Sequence, residues 1–229
     1  MDDAKWERLA AATGIVALVL LMVEFVMVPT WPKADAATNT IIDFFVEHRT
    51  SVLLGEYIGG IGAVAFFLWF LGSLRSFLML AEGTPGRLSA VAFGGGLVAI
   101  AVGSLGAAAN IVLALQAAEE GDEAVVRAFY VLSNTAFAVF FLPIGVLIGA
   151  TSIVALRTRA LPKWYGQAGG LFALAEIALA ACSTSIAGAL SVTGALSFVG
   201  FILFGLWLLT TSILLIQRVG RRMPTAAAT

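Results

Sequence analysis

Three carboxylic acids, Glu24, Glu56 and Glu176, lie inside stretches that are otherwise apolar. A charged side chain at the centre of a bilayer costs roughly 2.5–3.5 kcal/mol on insertion scales, so each needs a partner or a task. Glu176 is the deepest. A carboxyl there is expected to carry a proton for part of its cycle, because burial disfavours the charged form. A neutral amide or hydroxyl would serve a structural role without that desolvation cost, so Glu176 reads as a candidate proton site.

Helical spacing sets the direction of these groups. Gly169, Ala173, Glu176, Ala180 and Ser183 share one face, and Glu56, Gly59, Gly60 and Ala63 share another. Asn110 extends a stripe of Gly103, Gly106 and Ala107. Each polar group therefore sits on a closely packing face. Glu24 has Leu20, Leu21 and Met27 on its own face, which leaves its direction open. Glu24, Glu56, Asn110, Asn134 and the run Ser183-Thr184-Ser185 fall in one half of the spans, with Tyr57 and Tyr130 at the rim and Glu176 near the middle. Thr210, Thr211 and Ser212 are nearly alone in the other half. The pattern predicts a polar cavity open at one end, with Glu176, Glu24, Glu56, Asn110, Asn134, Tyr57 and Ser183 as ligand-binding or proton-site candidates. The competing reading is interhelical glue, worth about 0.6 kcal/mol per pair.

Other chemistry finds little support. One histidine, His48, and one cysteine, Cys182, rule out bis-histidine haem ligation, an all-histidine metal cage and an intrachain disulfide. A P-loop, a nucleotide fingerprint and a paired-histidine motif are missing. No catalytic residue, metal or cofactor is assigned. His48 reads as a solvated side chain and Cys182 as a packing residue.

The elements that must hold these groups follow from composition. The chain has 229 residues, 60% hydrophobic and 12% charged, with mean hydropathy +1.00. Soluble domains carry about 25% charged residues, so a lipid bilayer is the expected partner. A net charge of −1 and no long basic tract argue against nucleic acid. The expected fold is all-α, a polytopic bundle of six transmembrane helices in one domain over residues 1–222, with a flexible tail at 223–229. The spans lie near 9–28, 52–71, 88–115, 130–156, 165–186 and 195–216. Ala34-Asp35-Ala36 has a cleavage-site look, but an acidic start and a run of about twenty residues favour a span over a signal core of about 7–15.

Ten basic residues fall on one side (Lys5, Arg8, Arg75, Arg87, Arg157, Arg159, Lys163, Arg218, Arg221, Arg222) and three on the other (Lys33, Arg49, Arg127). The positive-inside rule then puts both termini in the cytoplasm of a cell whose plasma membrane the chain crosses. Between Pro29 and Ser51, Thr40 is the expected cap of a short amphipathic extracytoplasmic helix. Its apolar side holds Ile41, Ile42, Phe44 and Phe45, and its polar side Asp43 and Glu47. It lies on the membrane surface or covers the bundle as a lid. Leu74–Gly86 reads as a turn closed by Gly83-Thr84-Pro85-Gly86.

The small-residue stripe Gly95, Ala99, Gly103, Ala107 predicts that the third span is central and the most buried. On that expectation Gly103→Leu costs more stability than Gly205→Leu. The stretch from Gly55 through Phe66, Phe67, Leu71, Leu74 and Arg75, followed by Gly94-Gly95-Gly96, resembles small six-span bacterial membrane proteins of actinobacterial type, a family of unknown function. That resemblance implies a six-helix bundle and lends no catalytic residue.

Three functional classes follow. The first binds or transports a small or lipophilic ligand. The second is an accessory subunit whose small-residue faces meet a membrane-protein partner or another copy. The third is an intramembrane enzyme with two carboxylates as acid and base, about 5–9 Å apart.

Overall fold

Length and hydropathy dictate the frame, and a computed structural model, described for residues 3–117, 122–182 and 195–219, realises it. The described residues form helices without strands. Six helical stretches are long and apolar enough to cross a membrane. We number α1 Asp3–Met27, α2 Thr38–Glu47, α3 Arg49–Gly55, α4 Ala63–Glu82, α5 Arg87–Val112, α6 Glu123–Thr158, α7 Lys163–Cys182 and α8 Ala195–Val219. A π-helical segment, Glu56–Gly62, joins α3 to α4, and a second, Leu113–Ala117, extends α5.

The long helices pack as a ring in the order α1, α4, α5, α6, α7, α8, closing back on α1. Two apolar clusters hold it. The larger includes Phe70, Leu74, Ile144, Leu147, Trp207 and Leu208. The smaller lies beneath α2 and joins Ile41, Phe44 and Phe45 to Val28, Val52 and Tyr130. We call these the close-packed end and the α2 end.

Several expectations change. The third span, now α5, is not the most buried. α6 has 61% of its most apolar window buried against 33% for α5, because α6 packs along both α5 and α7. Small-residue spacing reports one close contact, not a central position. That contact is real: a Cβ on Gly95 would lie 2.9 Å from the Pro143 carbonyl oxygen and 3.0 Å from the Leu147 nitrogen. At Gly103 it would meet only the Phe140 ring, at 3.6 Å, whereas at Gly205 it would lie 3.2 Å from Leu18 Cδ1. The spacing argument for Gly103 is therefore lost.

The segment read as a turn from Leu74 is helix through Glu82. The turn itself is Gly83–Gly86, where Gly83 and Gly86 have φ of 79° and 65°, angles that suit glycine. Glu82 then caps α5: its carboxylate accepts from Leu88 N and Ser89 N, each at 2.9 Å, and from Ser89 Oγ at 2.6 Å. A negative group at a helix N-terminus meets unpaired N–H groups and the positive end of the dipole.

α2 is amphipathic as expected, with Asp43 and Glu47 exposed. Its apolar face is covered by protein, so it is a lid on the bundle. Its N-cap is Ala37 rather than Thr40, which lies inside the helix. α7 is described to Cys182, so the remainder of the fifth predicted span, to 186, lies outside the described residues, as does the predicted tail.

Candidate functional site

The connection from Val28 to Ala37 is held over the bundle by two side chains of α6. Tyr130 Oη donates to the Pro32 carbonyl at 2.5 Å, and Arg127 Nη1 donates to the Ala36 carbonyl at 2.8 Å. Trp31, in the same connection, packs on Phe44 and Phe45 of α2 with ring centroids 5.4 and 5.9 Å apart. Beneath this lid, between the two apolar clusters, lies a partly open cavity of about 500 Å³, lined from α1, α4, α5, α6 and α8. Ligand pockets typically span about 300–1,000 Å³.

One wall is polar. The structure brings Glu24, Glu56, Asn110 and Asn134 together on it, which resolves the direction of Glu24. Glu56 is only 2% exposed. Asn110 Nδ2 donates to Glu56 Oε1 at 2.6 Å, while Asn110 Oδ1 is buried without a partner among the described residues. Asn134 Nδ2 donates to the Tyr130 carbonyl of its own helix at 2.7 Å. The carboxyls of Glu24 and Glu56 interact electrostatically.

Local backbone makes room for this pair. A Cβ on Gly59 would lie 2.5 Å from Glu24 Oε2, and one on Gly60 would lie 2.7 Å from Glu56 Oε2. Only a bare glycine backbone lets both carboxyls lie against it. These glycines belong to the π-helical segment Glu56–Gly62. Such segments shift helical register and recur at functional sites. The clue in the sequence was the run Gly55, Gly59, Gly60, Gly62 around a buried acid.

The opposite walls are aromatic. Phe137 and Phe140 of α6 face Phe198, Phe201 and Phe204 of α8, with Phe25 and Phe67 beside them. Phe25 and Phe201 centroids are 4.6 Å apart, and those of Phe140 and Phe204 are 5.9 Å apart. Sequence reasoning missed these residues, along with Ser104 and Ser133 on the same lining. The available signal was the threefold step Phe198, Phe201, Phe204 along one helix face.

The remaining candidates lie elsewhere. Tyr57 is 52% exposed and turned away from the cavity. Ser183 lies outside the described residues. Glu176 is fully buried between α6, α7 and α8, with Oε2 3.2 Å from a Cβ built on Gly200 and neither oxygen hydrogen-bonded among the described residues. It does not line the cavity. The face argument put Glu176 correctly on a packed side, against Gly145 and Gly200, but that side belongs to another part of the ring.

The close-packed end holds more buried polar groups than expected, including Ser89, Thr151, Ser152 and Tyr165. Thr151 and Ser152 donate to carbonyls one turn back, at 2.8 and 2.7 Å. Tyr165 Oη lies 2.7 Å from Thr211 Oγ1. Among the described residues, no group of three or more His, Cys, Asp and Glu side chains forms a metal-binding cluster. No protein-family model, curated protein or solved structure matches the chain.

Proposed function

We propose that this chain is a multi-pass protein of the cell membrane that binds or transports a small lipophilic ligand in the cavity beneath α2. The observation that carries the reading is the cavity itself. One space of about 500 Å³ joins a phenylalanine-lined wall to a wall bearing Glu24, Glu56 and Asn110. Apolar pockets with a few convergent polar groups are the usual form of a ligand site. The positive-inside count puts both termini in the cytoplasm and α2 on the outer face, so the cavity faces outward.

Two carboxyls side by side also meet one requirement of an acid–base enzyme. Most of the wall, however, is phenylalanine and small side chains, which suits holding a ligand better than turning one over.

The test is native mass spectrometry of the protein extracted from its own membrane, combined with external cysteine labelling. The expected result is a bound small molecule or lipid, lost on Ser104→Phe, which fills the cavity. Cysteines placed at Asp35 and Asp122 should label from outside, and one at Lys163 should not. Label at Lys163 would reverse the topology.

One observation favours an accessory subunit instead. A groove of about 570 Å³ at the close-packed end runs between α1, α4 and α8 and is lined in part by Ala10, Gly72, Ser73 and Ser76. Small residues of this kind let a partner helix approach. Gly72→Leu should disrupt such an assembly and leave ligand binding intact.

A further inference from the structure

The polar wall is unbalanced in a way that specifies its ligand. Its amides and phenol each make one hydrogen bond inside the protein: Asn110 Nδ2 donates to Glu56, Asn134 Nδ2 to the Tyr130 carbonyl, and Tyr130 Oη to the Pro32 carbonyl. Ser104 and Ser133 add hydroxyls to the lining, and its two acids are the groups best suited to meet a cation. Asn110 Oδ1 is buried without a partner among the described residues, and the two carboxyls lie against glycine backbone. No Lys, Arg or His among the described residues lines the cavity. Arg127, one turn before Tyr130, is turned to the Ala36 carbonyl. Two buried acids facing a common space without a cation either hold protons or take up a positive group, which lets them ionise.

The rest of the lining points the same way. Aromatic faces attract cations, most strongly where water is excluded, and phenylalanines of α1, α4, α6 and α8 surround the space. A simple inorganic cation would use the carboxyls and leave these walls without purpose. A neutral lipophile would use the walls and gain no charge attraction from the two acids.

From this juxtaposition of paired carboxyls and phenylalanine walls around one space, we propose that the ligand is a hydrophobic organic cation, such as an amine on an aromatic or aliphatic body. The ammonium sits beside Glu24 and Glu56, and the body lies among the phenylalanines. The inference rests on the ligand-binding reading above and names its ligand class.

The experiment uses a matched pair of fluorescent probes with the full chain in nanodiscs. Dansylcadaverine carries a primary ammonium, and its N-acetyl derivative has the same body without the charge. The expected result is saturable binding of both, with the amine tighter by about tenfold or more, equivalent to about 1.4 kcal/mol. In Glu24→Gln and Glu56→Gln the advantage should shrink several-fold while the acetylated probe binds as before, which also reports an intact cavity. Equal affinity of the two probes for the unaltered protein would overturn the cation inference and leave the ligand-binding reading standing. Absence of saturable binding by either probe would overturn both. The unaltered protein decides between these outcomes even if a glutamine variant fails to fold.

Discussion

The two ends of the bundle bury polar groups in opposite ways. At the close-packed end the hydroxyls of Thr151, Ser152 and Thr211 bond back to their own helices, Ser212 Oγ and Trp207 Nε1 are buried without a partner among the described residues, and the space between helices is filled by Phe70, Ile144, Leu147 and Trp207. At the α2 end Glu24, Glu56 and Asn110 reach across between helices and border an open space. A hydroxyl that satisfies itself locally leaves neighbouring helices free to close on one another. An ionised carboxylate has no proton to donate to its own helix, so burying it in that form demands a partner from another element or from outside. The contrast teaches that polarity alone does not mark a site; unspent acceptors beside unfilled volume do.

The sharpest break in that comparison comes from enlarging a glycine at each end. Gly95→Leu puts a side chain onto the α6 backbone at Pro143 and Leu147, so it should destabilise by about 3 kcal/mol or prevent folding. Gly103→Leu faces the cavity and should fold with a far smaller shift in thermal midpoint. Similar losses at both positions would mean that the α2 end is as tightly filled as the other.

Removing single polar partners gives the next effect. Asn110→Leu strips Glu56 of its donor and should cost about 1–3 kcal/mol, since a buried acceptor is left unpaired. Tyr165→Phe removes one hydroxyl, yet Thr211 still donates to the Trp207 carbonyl at 2.6 Å, so the loss should be nearer about 0.5–1 kcal/mol. Chemical or thermal unfolding in one detergent would rank them. A larger loss for Tyr165→Phe would contradict the contrast between the ends.

Glu176 offers a third comparison, between two kinds of buried acid. Its oxygens lack partners among the described residues and border no cavity. Glu176→Met should therefore raise stability by about 1 kcal/mol, by removing an unsatisfied group while keeping volume. Probe binding should stay unchanged, whereas Glu56→Gln alters it. A loss of binding in the Glu176 variant alone would return that residue to the site, as its depth in the sequence suggested.

The sequence made some of this readable for physical reasons. Six spans follow from length and hydropathy, since a helix crossing a bilayer needs about 20 apolar residues. The apolar face of α2 follows from Ile41, Phe44 and Phe45 at helical steps. Glu24, Glu56, Asn110 and Asn134 were readable as a group because depth along antiparallel spans is countable. Which helix lies beside which was not. Glu176 lies near the middle of its span, but ring order seals it between α6, α7 and α8, and spacing within a helix carries no information about ring order. Centrality failed for α5 for the same reason. The π-helical segment was hidden because a backbone register shift leaves no periodic trace beyond its glycines. The phenylalanine walls were hidden because phenylalanine is ordinary anywhere in an apolar helix; only the cavity distinguishes Phe201 from a side chain facing outward.

The central claim is that the space beneath α2 receives a ligand, and the most direct measurement fills it. Ser104 lines the cavity from α5, and Ser104→Phe places a ring there without touching either acid. Titration of the neutral dansyl probe into the unaltered protein in nanodiscs should give a saturable one-site rise in fluorescence. The same titration of Ser104→Phe, with its fold checked by size-exclusion and thermal unfolding, should give only the linear rise of partition into lipid. Identical saturable curves for the two proteins would contradict the account, because the probe would then bind somewhere other than the cavity.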